Sequence, residues 1–257
     1  MRVAFVEWPD GLLPTGPAWD RIAAAVELAQ PDLLITDQLP FGPWLAAAPR
    51  FDREAAAASV ALHAEGLVAL AALDVPAVVT TRPVWRGDRF VNEGVVIEGD
   101  RVRFLHRKHV LPDQEGWRET VWYEPGCEGF ITADIMGMRV GMLICTELMF
   151  SEWARHYGAQ GAELIVVPRA TPPGSPCQIA AAMAAVVSGA YVISSSRVGQ
   201  VDGGPLFGGP GFAFAPDGSL LATTSAETSL RVLELDAGLS RRQKRRYPCY
   251  LSEPVLL

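Results

Sequence analysis

The chain has 257 residues, 49% hydrophobic and 20% charged, with a formal net charge of −7. That mixture excludes collagen-like, low-complexity and wholly disordered chains. The acidic balance argues against broad binding to nucleic acid or to an anionic membrane, because both need clustered cations.

Taken from the N-terminus, an apolar run predicts a strand at 3–7, and Glu7 interrupts it before it could form a signal-peptide core. A helical pattern follows at 18–30, then a strand at 32–36. The next helix is predicted at 52–73, with Asp52 as N-cap and Glu54 in the first turn, where the helix dipole favours an acid. A strand at 77–80 leads to a hairpin of 89–97 with 101–106, turned at Glu98-Gly99-Asp100. Further strands are expected at 139–144, 164–167 and 191–195, with helices at 151–157 and 178–189. Ser151 is the expected cap of the first of these helices, with Glu152 in its first turn. A last hairpin pairs 212–215 with 220–223 across Pro216-Asp217-Gly218-Ser219.

Between Arg169 and Arg197 no residue is charged, a length that could cross a bilayer. Its opening, Ala170-Thr171-Pro172-Pro173-Gly174-Ser175-Pro176, is loop chemistry that lipid would leave unpaired. A buried helix feeding a buried strand is therefore expected, and no membrane span. Strands mixed with helices and hairpins predict a layered α/β protein with mixed sheets. No stretch has linker composition, so 1–257 is expected to form one domain.

The four cysteines (Cys127, Cys145, Cys177, Cys249) form no C-x-x-C pair, and the four histidines lack metal-ligand spacing. Neither a metal nor a cofactor is expected, and the expected location is the cytoplasm. The basic run Arg241-Arg242-Gln243-Lys244-Arg245-Arg246 suits a solvated helix face or a subunit contact. The glycines of 203–211 have no Lys-Ser/Thr after them and do not make a phosphate loop. They are expected to shape a mobile loop near the pocket.

Two segments carry chemistry. In Met138-Arg139-Val140-Gly141-Met142-Leu143-Ile144-Cys145-Thr146-Glu147, a buried strand ends at a cysteine and the chain then turns into a helix. Such a turn lifts a thiol to the sheet edge and offers backbone N–H groups to an oxyanion. Alone, Cys145 would equally suit a small core residue. The second segment is Arg107-Lys108-His109-Val110-Leu111-Pro112, followed by Glu115, Glu119 and the Glu124-Pro125-Gly126 turn.

Together these segments resemble the nitrilase superfamily of carbon–nitrogen hydrolases, in an amidase- or carbamoylase-like branch. The resemblance covers nearly the whole chain. It implies a four-layer α-β-β-α sandwich and a homodimer or larger homo-oligomer. The implied reaction is hydrolysis of a small-molecule amide or N-carbamoyl bond, with nitrile hydrolysis less favoured. Its roles fall on Cys145 as nucleophile, on Lys108 and the N–H of Thr146 as oxyanion donors, and on Glu119, rather than its rival Glu115, as the second glutamate. A cation beside a thiol is expected to lower its pKa. Family loops place Phe41, Trp44, Trp122, Arg169, Ala170 and Thr171 around the substrate, with Arg169 either pairing a substrate carboxylate or tying a loop to the sheet.

The departure is Gln38, which occupies the slot of the family's general base at the end of the second strand. Its amide has no useful basicity. Asp37 beside it is expected to face the opposite side. Gln38 is open to three accounts: an engineered Glu→Gln trap, a natural enzyme using a reactive substrate or another base, or a non-catalytic ligand-binding protein. Acyl transfer to an amine is a further alternative to hydrolysis.

Overall fold

The computed structural model describes residues 1–201 and 203–251. Strand β1 (Arg2–Pro9) leads through helix α1 (Pro17–Ala29) to β2 (Leu33–Ile35). Helix α2 (Arg53–Ala71) precedes an antiparallel run of β3 (Ala77–Arg86), β4 (Arg89–Glu98) and β5 (Arg101–Arg107). A ribbon of β6 (Asp113–Gln114) and β7 (Trp117–Arg118), then the short helix α3 (Glu119–Trp122), carry the chain to β8 (Ala133–Ile135) and β9 (Met138–Met142). Helix α4 (Ser151–Ala159), β10 (Leu164–Val166), helix α5 (Cys177–Ser188) and β11 (Tyr191–Ser194) follow. The chain continues through β12 (Ser196–Val198), β13 (Phe212–Phe214), β14 (Leu220–Thr223), β15 (Leu230–Glu234) and helix α6 (Ala237–Gln243).

Two mixed sheets result. One has the order β12-β1-β2-β3-β4-β5, with β15 also paired to β1, and the other has the order β14-β13-β11-β10-β9-β8. The two-residue period of each strand assigns its side chains to layers. Val3 and Phe5 of β1, Leu33 and Ile35 of β2, Val140 and Met142 of β9, and Leu164 and Val166 of β10 meet in one cluster between the sheets. The alternate residues face outward. Ala4, Val6, Trp8 and Leu34 pack under Trp19, Ile22 and Val26 of α1 and Leu70 of α2. Ile165 and Val192 pack under Ala154 and Tyr157 of α4 and Ala181, Ala184 and Ala185 of α5. These clusters make the α-β-β-α sandwich.

Helix α2 is apolar and long enough, by length and composition, to cross a membrane. Its buried positions, Ala56, Ser59, His63, Gly66 and Leu70, recur at three- and four-residue spacing, which makes one stripe against the sheet. Asp52 caps it, accepting from the N–H groups of Glu54 and Ala55. The cap expected from Ser151 is absent. Ser151 opens α4, and Phe150 precedes it without a side-chain cap. A 3-10 turn at Cys145–Met149 runs almost directly into α4, so the Phe150 carbonyl accepts from Trp153 N–H. The uncharged stretch before Arg197 forms α5 and β11, both packed in the protein.

Candidate active site

Beyond β9 the chain passes Leu143 and Ile144 to Cys145, which holds φ at +53°. That left-handed backbone costs a non-glycine residue roughly 1–3 kcal/mol and persists where its surroundings enforce it. Here Cys145 N–H donates to the Pro168 carbonyl at 3.0 Å, and the thiol donates to the Ala170 carbonyl at 3.3 Å. Glu147 clamps the turn. Its Oε2 accepts from Ile144 N–H at 2.7 Å and contacts His106 Nε2 at 2.9 Å, while Oε1 accepts from His109 N–H at 2.6 Å. Burial alone would raise the Glu147 pKa, but the His106 imidazole and these hydrogen bonds hold it below the ordinary value. Glu147 thus joins the cysteine turn to His106 and His109, which lie on either side of Lys108 along the chain.

Lys108 follows β5, and its backbone is pinned on both sides, by the Asn92 carbonyl at 3.0 Å and Gly126 N–H at 2.9 Å. Its ammonium donates to Glu119 Oε1 at 2.6 Å, and both side chains are wholly buried. Glu119 is the first residue of α3, whereas Glu115 is exposed at the ribbon turn, so Glu119 is the partner of Lys108. Gln38 Nε2 lies 3.2 Å from each Glu119 oxygen. A carboxylate only accepts, so the amide NH₂ must face it, and the Gln38 carbonyl oxygen is left buried without a partner.

Gln38 does not sit on a strand, because β2 ends at Ile35. Asp37 and Gln38 nevertheless part. Asp37 is fully buried with both carboxylate oxygens unpartnered, and burial, against the pull of Arg197, raises its pKa well above the usual range.

The expected depression of the cysteine pKa is reversed. Burial pushes the Cys145 thiol above its ordinary value; the Lys108 ammonium lowers it, and Glu119 raises it. Desolvation wins because Lys108 is already neutralised by its carboxylate partner.

Cys145 and Thr146 open on a cavity of about 410 Å³. Ala170 and Thr171 line it. The other four expected pocket residues do not. Phe41 packs in the helix-facing core against Trp19 and His63. Trp44 lies behind the cavity, its indole N–H on the Gly116 carbonyl and its ring edge-on to Phe207. Trp122 faces a separate aromatic cleft with Phe51, Trp85 and Phe90. Arg169 ties loops together, donating to Ser194 Oγ at 3.2 Å, Thr171 Oγ1 at 2.5 Å and the Pro210 carbonyl at 2.5 Å. Sequence reasoning missed Trp117, Met149 and Cys177 on the wall and Glu147 behind it. Only Glu147 had a usable signal, its place two residues after the cysteine. The glycine-rich loop meets the site through Phe207, 2% exposed between Trp44 and Trp117, and Gly208 N–H donates to the Thr171 carbonyl. Among the described residues no group of three or more His, Cys, Asp or Glu is gathered as for a metal.

A family model, carbon–nitrogen hydrolase, matches residues 41–245. The chain belongs to the carbon–nitrogen hydrolase family. An (R)-stereoselective amidase from a Pseudomonas species is 30% identical over 187 residues, 72% of this chain and 65% of that protein. A nitrilase from Pyrococcus abyssi is 30% identical over 161 residues, 62% of this chain and 58% of that protein. Both matches therefore span less than two thirds of the relative. Among solved structures, a carbon–nitrogen hydrolase from Helicobacter pylori superposes with a TM-score of 0.82 at 19% identity, covering 97% of this chain and 94% of that one. An amidase from a Nesterenkonia species gives 0.77 at 23% identity, covering 94% and 92%. Such hydrolase-family neighbours share the sandwich fold described above.

Proposed function

We propose that this chain cleaves a non-peptide C–N bond, amide or N-carbamoyl, through an acyl-enzyme on Cys145. The sulfur adds to the carbonyl carbon, and the oxyanion takes hydrogen bonds from the Lys108 ammonium and the Thr146 N–H. Collapse breaks the C–N bond. The thiol proton leaves with the amine or ammonia, and a thioester remains. Water then cleaves the thioester to a carboxylic acid and restores the thiol. Glu119 positions Lys108 through their 2.6 Å contact. The supporting observation is a strained cysteine at a cavity mouth, held in the field of a wholly buried lysine–glutamate pair.

Gln38 makes this a slow version of that chemistry. A general base contributes about 10²–10⁴-fold, and neither proton transfer has one at position 38. Water suffers more than the thiol, because it must lose its proton to attack the thioester. The adduct therefore accumulates. A glutamate-to-glutamine mutant of the Nesterenkonia amidase shows covalent addition of the acetamide moiety of fluoroacetamide at its active-site cysteine. That is consistent with a glutamine leaving a thiol nucleophilic.

Acyl transfer is the second reading, favoured by the same glutamine. An amine attacks a thioester without prior deprotonation, and the unpartnered Gln38 carbonyl oxygen could accept one of its N–H groups. Intact-mass spectrometry after incubation with simple carboxamides tests both. An acyl adduct that disappears in Cys145→Ala, and that added hydroxylamine discharges faster than water, is the expected result. No adduct with any amide, together with a thiol that stays unreactive even at alkaline pH, would leave a non-catalytic binding protein.

A further inference from the structure

Resting on the acyl-enzyme chemistry just proposed, we infer that the Cys145 cavity selects uncharged carboxamides with an apolar acyl group of four or more carbons, alkyl or aryl. Its wall carries no Asp, Glu, Lys or Arg among the described residues. The two cations that act on Cys145 are already committed. The Lys108 ammonium is bound to Glu119, and the Arg169 guanidinium donates to Ser194, Thr171 and Pro210. Lys108 is neutralised by Glu119 and kept for the oxyanion, and Arg169 lines a neighbouring cavity rather than this one, so a substrate carboxylate on the acyl chain would lose hydration and find no cation in the wall to pair with. A substrate ammonium would fare no better, since Glu119 and Glu147 are wholly buried and spent on internal partners.

The polar side chains of the wall, Gln114, Thr146, Thr171 and Ser175, are all uncharged. Pro172, Pro173 and Pro176 supply three positions with no backbone N–H to give. Trp117 also lines it, and its indole N–H is taken by the Ala170 carbonyl, so its ring contributes surface and no free polar group. Met149 adds a flexible thioether that adapts to alkyl or aryl shapes. A cavity of about 410 Å³ lies within the range of small-molecule sites and leaves room beyond an acetyl group. Each methylene buried there is worth about fourfold in acylation efficiency.

The test uses shape-matched amides: pentanamide against 4-aminobutanamide, and 4-methylpentanamide against succinamate, with acetamide and benzamide as size standards. The rate of adduct formation at subsaturating amide is read by intact mass. The expected order places pentanamide, 4-methylpentanamide and benzamide above acetamide by tenfold or more. Each charged partner should fall about a hundredfold below its neutral match. In Gln114→Lys, which puts a cation on the wall, succinamate should gain at least tenfold over 4-methylpentanamide. Equal rates within the matched pairs, or preference for a charged amide, would overturn the inference while leaving the acyl-enzyme intact. Absence of an adduct with every amide would instead remove the acyl-enzyme on which it stands.

Discussion

Gln38→Glu is the most informative single change, because it alters one atom type and nothing in volume. The new carboxylate would sit where the amide now lies, 3.2 Å from both Glu119 oxygens. Two ionised carboxylates at that distance repel by about 5 kcal/mol at an effective dielectric of 20. At 1.36 kcal/mol per pK unit, that repulsion alone would lift the new group by roughly four units from an ordinary glutamate, and Lys108 takes part of the rise back. The result is a base that titrates near neutrality, the useful range for moving protons between thiol, amine and water. Turnover of a neutral amide should rise about 10²–10⁴-fold, and the acyl adduct should vanish from steady-state mass spectra. The assay is ammonia release against pH, which should acquire an ascending limb absent from the parent. Unchanged turnover with a persistent adduct would refute the reasoning, since it would mean that position 38 has no access to the travelling protons.

Alkylation of Cys145 by iodoacetamide should be slow at pH 7 and accelerate above the ordinary thiol range, because burial raises that pKa. Lys108→Met removes the one lowering charge and should move the midpoint higher, as read from rates across pH by peptide mass spectrometry. His63 is buried, held at Ser59 O and Phe41 N, and its pKa is lowered from 6.5 to about 4. Its neutral form is the folded one, so stability is complete above pH 6.5 and declines as pH falls towards 4, by about 3 kcal/mol in all. Urea midpoints at pH 7.5 and 4.5 check this, and His63→Gln should reduce the difference. In Gly158→Ala the new methyl would lie 2.7 Å from the Ser188 Cα and carbonyl oxygen. It would push α4 from α5 and cost about 1–3 kcal/mol, measurable as a fall in Tm. Asp37→Asn should stabilise the protein at pH 7 and change little at pH 4. The raised pKa means that stability present at low pH is lost as the carboxyl ionises.

The outward signs of the fold were legible because strand alternation and helix spacing repeat locally. Val3, Phe5, Leu33 and Ile35 announce one face of a sheet wherever the other sheet lies. The short pieces β6, β7, β12 and α3 carried no such period, since two to four residues cannot display one. Helix α4 begins at Ser151 as expected but without the expected cap: a cap is needed only where a helix starts free, and the preceding turn already supplies carbonyls.

The residue types of the site were fixed by the chain itself, as Cys145, Lys108, Glu119 and Gln38 stand in two recognisable segments and one altered slot. Their electrostatics were not. A neighbouring cation says that a thiol should ionise, but only the packed structure reveals that Glu119 neutralises that cation and that burial then prevails. The cavity wall was likewise decided by tertiary structure. Trp117, Met149 and Cys177 come from a ribbon, a turn and a helix start that share no pattern, whereas Phe41, Trp44 and Trp122 point elsewhere. Sequence spacing encodes neighbours along one element. The meeting of several elements around a common void depends on how their layers stack, and no local period records that.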